Sequence, residues 1–189
     1  SLTLILSKKY NPLFDSKARY FIITGGRGSG KSFAVTVFLT LLTMSRGIRV
    51  LFTRFTMTSA HLSIIPEFLE KIGLLGFEET FNINKAEVVN AENKSDILFR
   101  GIRTSAGNQT ASLKSLQGIS TWCLDEAEEL VDENIFDTID LSIREKDIQN
   151  RIILILNPVT KEHWIYKRFF EDKGVEGGFN GVKDNVCYI

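Results

Sequence analysis

The chain has 189 residues, 43% of them hydrophobic and 24% charged, and this ordinary globular composition excludes collagen-like, disulfide-scaffold and disordered classes. Because Lys and Arg number 23 and Asp and Glu also number 23, the net charge is zero, which excludes a uniformly basic nucleic-acid wrapper but not a local basic groove. The length fits one domain over residues 1–189. The longest apolar stretch, residues 33–44, is shorter than the roughly 20 residues of a transmembrane helix, so we expect no membrane association.

The first half of the chain alternates between strand and helix patterns. Short apolar runs rich in β-branched and aromatic residues predict buried strands, and apolar residues at helical spacing predict helices. A glycine-rich turn at residues 25–30 follows the first strand, and Gly47 ends the first helix. The predicted elements are a strand at residues 19–24, a helix at 31–44, a strand at 48–53 and a helix at 59–72.

The second half continues the alternation after a predicted hairpin. The hairpin strands are residues 87–90 and 96–100, and a polar stretch at residues 101–118 predicts a loop with some helix. Further elements are predicted as a strand at residues 121–124, a surface helix at 128–144, a strand at 151–156 and a helix at 161–171. Strands that alternate with helices favour an α/β fold with a mostly parallel central sheet and helices on both faces.

The turn after the first strand matches the complete eight-residue phosphate-loop pattern, with a strand before it and a helix after it. Glycines let the backbone aim successive N–H groups at one phosphate, and the helix N-terminus adds a partial positive charge. In this pattern the lysine reaches the β- and γ-phosphates and the following serine ligates Mg²⁺. The predicted ATP-binding residues are Gly25, Gly26, Arg27, Gly28, Ser29, Gly30, Lys31 and Ser32.

An acidic pair, Asp125 and Glu126, follows the predicted strand at residues 121–124. With that strand placed beside the phosphate-loop strand, Asp125 would lie near Ser32 and could hold Mg²⁺, usually through water. Glu126 could then polarise the water that attacks the γ-phosphate. The alternative interpretation is an acid-rich first turn of a surface helix.

Three more polar residues follow predicted strands or lie within the phosphate loop. Asn157 comes after the strand at residues 151–156 and could contact the γ-phosphate or the attacking water; a strand-ending Asn-Pro turn is the alternative. Arg27 lies inside the loop and could reach the γ-phosphate, or it could be solvated or structurally paired. Arg54 follows the second strand and could be a phosphate contact, a subunit contact or a surface charge.

The ordered set of motifs resembles the ATPase domain of the large terminases of tailed bacteriophages. The resemblance covers nearly the whole chain, although the phosphate loop is the one motif that is specific by itself. The matching segments are Arg19-Tyr20 before the loop, Val50-Leu51-Phe52-Thr53-Arg54, residues 114–119 before the acidic pair, Asn157-Pro158 with His163-Trp164, and residues 184–189.

The resemblance implies a P-loop NTPase of the additional-strand, catalytic-glutamate type. It implies a Mg²⁺-dependent ATPase that drives viral double-stranded DNA into the procapsid. For that activity the residues argued above are Glu126, Arg27, Lys31 and Asn157 as catalytic residues, and Ser32 and Asp125 as metal ligands. The implied partners are the portal protein, the small terminase subunit and further copies in a ring, with the isolated domain monomeric. The implied location is the host cytoplasm and, transiently, the portal vertex. An RNase H-like nuclease domain is expected to follow residue 189, so nuclease activity is expected only of the full-length protein.

Three other function classes share parts of this pattern. A small-molecule phosphotransferase would need lid segments and an acceptor pocket, and the sequence shows no arginine-rich lid. A helicase-like remodeller would have the same loop and acidic pair, together with a second recombinase-like domain that supplies an arginine finger. A non-enzymatic, nucleotide-gated binding module would be indicated by loss of Lys31 or Glu126, and both are present.

The sequence gives weak signals for a DNA-contact surface and for an adenine pocket. Basic residues at positions 94, 100, 103 and 114 fall together in the hairpin and loop, where a solvated face is the favoured interpretation over a DNA contact. The segment at residues 10–14 lies just before the first strand and could stack on the adenine base.

Overall fold

One sheet runs through the computed structural model, which describes residues 7–26, 30–57, 60–104, 107–108, 113 and 116–189. In the described part of the chain, this sheet has ten strands. They are β1 (Tyr20–Thr24), β2 (Arg49–Thr56), β3 (Phe81–Ile83), β4 (Glu87–Asn90), β5 (Asp96–Thr104), β6 (Gly107–Asn108), β7 (Thr121–Leu124), β8 (Arg151–Leu156), β9 (Gly181–Lys183) and β10 (Val186–Tyr188).

The strand order is β3-β4-β5-β2-β7-β8-β1-β10-β9, with β6 paired to β5. The six adjacent strands β5-β2-β7-β8-β1-β10 are parallel to one another. The remaining strands, β3, β4, β6 and β9, pair in antiparallel. This confirms the predicted mostly parallel sheet. Strand β8 lies between β1 and β7. The prediction that the strand before the acidic pair is the direct neighbour of the phosphate-loop strand is therefore wrong. The fold is therefore of the additional-strand type.

Helices cover both faces of the sheet. They are α1 (Asn11–Asp15), α2 (Lys31–Leu42), α3 (Ala60–Ser63), α4 (Ile65–Leu74), α5 (Glu133–Asp140) and α6 (Trp164–Tyr166), which continues as a π-helical turn at Lys167–Glu171. On one face, α1, α2 and α4 cover a core that contains Phe21 and Phe52. On the other face, α5 and α6 bury Phe136 and Trp164 against Trp122, with the Phe136 ring 4.8 Å from that of Trp164.

Three predicted helices differ from the observed ones. The helix predicted at residues 161–171 begins only at Trp164 and becomes π-helical at Lys167. The helix predicted at residues 128–144 is confined to α5, because Glu126 takes a left-handed conformation (φ 52°) and a short 3₁₀ turn, Ala127–Glu129, follows it. Asp132 then caps the helix by accepting a hydrogen bond from the Asn134 N–H at 2.9 Å. The helix predicted at residues 59–72 is split into α3 and α4, and Pro66, which has no N–H to donate, lies in the first turn of α4.

The end of the chain adds strands that were not predicted. Strand β10 extends the parallel sheet beyond β1, with Cys187 opposite Phe21, and β9 pairs with it in antiparallel. Each strand has three residues, which is too short for a periodic pattern to be recognised. In the described ranges, no helix is both long and apolar enough to span a membrane.

Candidate functional site

The carboxyl ends of β1, β7 and β8 open into a cleft of about 400 Å³. Polar residues that follow parallel strands meet at this edge of the sheet. Residues that are far apart in the sequence therefore line the same cleft. Its lining residues are Gly26, Gly30, Lys31, Ser32, Phe33, Arg54, Glu67, Asp125, Glu126, Glu128, Ile155, Leu156 and Asn157.

Lys31 begins α2 and lies at the centre of the cleft. Gly30 before it has a φ of 82°, a left-handed conformation that glycine adopts without strain. The Lys31 Nζ donates to the carbonyl of Gly25, to the carbonyl of Leu156 at 3.3 Å and to Oδ1 of Asn157 at 2.8 Å. Burial lowers the pKa of Lys31, while Glu128 and Asp125 act in the opposite direction. The ammonium is thus held between the start of the phosphate loop and the end of β8.

The phosphate loop is described only at its two ends. Gly25, Gly26, Gly30, Lys31 and Ser32 belong to the described residues. The Ser32 side chain is exposed and lines the cleft, and α2 continues directly from it. The predicted site residues Arg27, Gly28 and Ser29 lie outside the described residues, as does Lys114 of the predicted basic loop.

Asp125 is held in place by an arginine of the neighbouring strand. Asp125 is 7% exposed, and its Oδ2 accepts from Nε and a terminal nitrogen of Arg54, both at 2.9 Å. Its Oδ1 accepts from the Glu126 N–H at 3.0 Å, and the Asp125 N–H donates to the carbonyl of Thr53 at 2.9 Å. Arg54 therefore lies at the edge where we expected it, with an ion-pair partner in its own chain that sequence reasoning had not considered.

Glu126 lines the same cleft one residue later. Burial raises the pKa of its carboxyl; Arg54 lowers it, and Asp125, Glu129 and Glu128 raise it further. The left-handed backbone of Glu126 is uncommon for a residue other than glycine and is found preferentially at functional sites. A carboxyl with an elevated pKa accepts a proton more readily than an ordinary glutamate, as a general base must.

Glu128 is a residue of the site that sequence reasoning missed. Its Oε1 accepts from the Asn157 N–H at 3.1 Å, and its Oε2 lies 3.4 Å from Nδ2 of Asn157. Its backbone carbonyl contacts Nε2 of His163 at 2.9 Å. Nothing in the spacing distinguished Glu128 from the other glutamates in residues 126–129, which all fit an acid-rich helix start.

Two side chains of the cleft offer oxygen donors for a hard divalent cation. The Ser32 hydroxyl and the Asp125 carboxylate are oxygen donors of the kind that Mg²⁺ prefers. Within the described ranges, no group of three or more His, Cys, Asp and Glu residues could hold a metal ion. These two residues therefore fit Mg²⁺ as it usually binds beside phosphates, with few protein ligands and the remaining positions filled by phosphate oxygens and water.

Two of the basic residues predicted in the hairpin and loop donate to carbonyls close to them in the chain. Lys94 donates to the carbonyl of Ala91 at 2.9 Å, and Arg100 donates to the carbonyl of Phe99 at 2.9 Å, while Arg103 is exposed. In the segment at residues 10–14, Tyr10 and Leu13 are buried.

Comparison with known proteins identifies relatives of this chain. Residues 17–189 match the family model described as phage terminase large subunit. No curated protein matches the chain significantly.

Among the solved structures with the same fold are proteins from three phages. A large terminase from a thermophilic bacteriophage, which we call the thermophilic-phage terminase, has a TM-score of 0.73 and 12% identity, over 98% of this chain and 45% of that chain. The Thermus phage P74-26 large terminase ATPase domain has a TM-score of 0.69 and 18% identity, over 100% of this chain and 81% of that one. The N-terminal domain of the DNA packaging ATPase from bacteriophage phi29 has a TM-score of 0.71 and 16% identity, over 96% of this chain and 95% of that one. The chain spans less than half of the thermophilic-phage terminase.

Proposed function

The chain belongs to the phage terminase large subunit family, and on that premise we propose that it is an ATPase whose hydrolysis of ATP drives viral double-stranded DNA into the procapsid. The observation that carries the proposal is the meeting of Lys31, Asp125, Glu126 and Asn157 in one cleft at the carboxyl edge of the sheet. A lysine for phosphates, a base for water and a polar group at the neighbouring strand end are what phosphoryl transfer to water requires.

We assign one role to each of these residues. Lys31 binds the β- and γ-phosphates. To do so, its ammonium moves away from the three oxygens to which it donates in this structure. Glu126 accepts the proton of the attacking water, and Asn157 contacts the γ-phosphate or that water. Arg27, in the loop around the phosphates, stabilises the charge of the transition state in its own active site.

The cofactors we propose are ATP and Mg²⁺. The thermophilic-phage terminase has been solved in complex with ADP and with ATP-γ-S, which supports nucleotide binding by this related chain. Ser32 and Asp125 would hold Mg²⁺, which neutralises phosphate charge when bound. Because both oxygens of Asp125 already accept hydrogen bonds, we propose that it acts through water molecules.

The partners we propose are double-stranded DNA, the portal protein, the small terminase subunit and further copies of the chain in a ring. The bacteriophage phi29 relative has been solved as a viral genome packaging motor assembly, which supports a motor that works as an assembly. We place that work in the host cytoplasm at the portal vertex. Nuclease activity is proposed for the full-length protein, outside residues 1–189.

The test is ATP-dependent DNA packaging by the full-length protein with proheads. We expect double-stranded DNA and proheads to stimulate ATP hydrolysis. Asp125→Asn should stop packaging and weaken the dependence of ATP hydrolysis on Mg²⁺. ATP turnover that is not stimulated by DNA or proheads, and that requires a small-molecule phosphate acceptor, would identify a phosphotransferase and contradict the proposal.

A further inference from the structure

The Glu128 carboxylate contacts both N–H-bearing groups of Asn157. Oε1 accepts from the backbone N–H at 3.1 Å, and Oε2 lies 3.4 Å from the side-chain Nδ2. On the other side of the Asn157 amide, Oδ1 accepts from the Lys31 Nζ at 2.8 Å. The amide of Asn157 is therefore placed between an anion and a cation.

This arrangement determines which way the amide points. A carboxylate only accepts hydrogen bonds and an ammonium only donates them, whereas an asparagine amide has a donor end and an acceptor end. If the amide turned over, Oδ1 would face the Glu128 carboxylate and Nδ2 would face the Lys31 ammonium. Both contacts would be repulsive, so Glu128 keeps Oδ1 directed into the cleft.

Glu128 is itself fixed from two sides. It lies in the 3₁₀ turn Ala127–Glu129, which directly follows Glu126. Nδ1 of His163 accepts from the Ile165 N–H at 3.1 Å, so Nε2 carries the ring proton and donates to the Glu128 carbonyl at 2.9 Å. This turn thus links the residue that we propose as the base to the residue at the end of β8.

We propose that Glu128 is a positioning residue, which orients the Asn157 amide so that Oδ1 faces the γ-phosphate side of the cleft. The inference rests on the proposed ATPase function and adds a residue to it. When Lys31 moves to the phosphates, Oδ1 of Asn157 loses the ammonium that donates to it in this structure. The Glu128 carboxylate then keeps that oxygen available for the attacking water instead of letting the amide rotate.

The test is the isosteric variant Glu128→Gln, compared with Asn157→Ala and with the double variant in the full-length protein. Glutamine keeps the shape but has one acceptor oxygen where glutamate has two, so it can accept from only one of the two Asn157 nitrogens and sets its own N–H₂ group against the other, which weakens its hold on the amide. We expect kcat to fall about tenfold, as for one charge-assisted hydrogen bond, while KM and nucleotide affinity stay within about twofold. The double variant should be no slower than Asn157→Ala, because the two residues act through one group. Glu145→Gln, at an exposed glutamate outside the cleft, is the matched control and should leave kcat unchanged.

Each other result has a definite meaning. An unchanged kcat in Glu128→Gln beside a slow Asn157→Ala overturns the inference and leaves the proposed function intact. Losses that multiply in the double variant also overturn it, because Glu128 would then act independently. If Asn157→Ala is itself fully active, the proposed role of Asn157 fails and the inference fails with it. Should Glu128→Gln not fold, the Asn157 side-chain ¹⁵N resonance of the unsubstituted protein decides, because a carboxylate-bonded amide retains slow N–H₂ exchange and a free amide does not.

Discussion

Two nitrogens of Arg54 contact a single oxygen, Oδ2 of Asp125, each at a distance of 2.9 Å. The pair joins β2 to the residue after β7, and the Asp125 carboxylate is nearly buried. A buried carboxylate that loses its cation keeps the cost of leaving water without the compensating attraction. The ion pair therefore positions one of the proposed metal ligands and also contributes to stability.

Removal of this cation should destabilise the protein. We expect Arg54→Met to lower the free energy of unfolding by about 1.5–3 kcal/mol, the usual worth of a hydrogen bond to a charged group. Arg54→Lys, which retains the charge but not the two-nitrogen contact, should lose less. Urea unfolding measures both, with the exposed Arg103→Met as the control. Equal stability of all three variants would show that the ion pair contributes nothing.

The elevated pKa of Glu126 predicts a displaced pH profile. A base works only when deprotonated, so activity is lost as pH falls through its pKa, and a raised pKa moves this loss to higher pH. We expect the acidic limb of kcat/KM to lie above the range of an ordinary glutamate. Because Arg54 lowers this pKa, Arg54→Met should move the limb higher still.

The same base assignment is tested directly by substitution. Glu126→Gln should retain nucleotide and Mg²⁺ but lose about 10²–10⁴-fold in rate, and its residual activity should lack the acidic limb. Rapid hydrolysis by this variant would mean that the base is another residue and that Glu126 only begins the 3₁₀ turn.

Lys31 is the central cation of the cleft, so its loss should abolish function without unfolding the chain. We expect Lys31→Ala to abolish ATP hydrolysis and to weaken nucleotide binding, because the main side-chain charge for the β- and γ-phosphates is gone. The exposed Lys146→Ala should behave as the unsubstituted protein. Turnover and calorimetric melting measured together decide the matter: full turnover with normal melting would remove Lys31 from the mechanism.

Arg27 should act in its own active site. It lies between Gly26 and Gly28 in the predicted phosphate loop, so its backbone is beside its own nucleotide. We expect Arg27→Ala to bind ATP but to lose about 10³–10⁵ in rate, and the activity of the unsubstituted chain to rise linearly with its concentration. Rescue of Arg27→Ala subunits by Lys31→Ala subunits in a mixture would show action on a neighbour instead.

Tyr188 should confer an alkaline limit on stability. Burial, with a contribution from Asp184, raises the pKa of Tyr188 to about 12, and its hydroxyl donates to the carbonyl of Phe169. Because the folded pKa lies above the unfolded one, this stabilisation is complete below about pH 10 and is lost as pH rises towards 12. Tyr188→Phe should be less stable at neutral pH by about 1 kcal/mol and should lose less stability between about pH 10 and 12. Parallel pH dependences of the two proteins in urea unfolding would refute this.

Local signals in the sequence were enough to locate several elements. Strands β7 and β8 have the predicted bounds, because strands buried on both faces form continuous apolar runs that polar residues end on each side. The acidic pair and Asn157 were located by the same signal, since each comes directly after such a run. The predicted phosphate loop is recognisable because the chemistry of such loops depends on consecutive backbone groups.

How these elements meet depends on contacts between residues far apart in the chain, which the fold revealed. It placed β8 between β1 and β7, paired Arg54 with Asp125, and brought Glu128 to Asn157. It also added β9 and β10 to the sheet beside β1. Periodicity reports which face of an element is buried but not which element packs against it. Hydrogen bonds between residues 29 to 71 positions apart leave no periodic trace, because they depend on the order in which the strands pair.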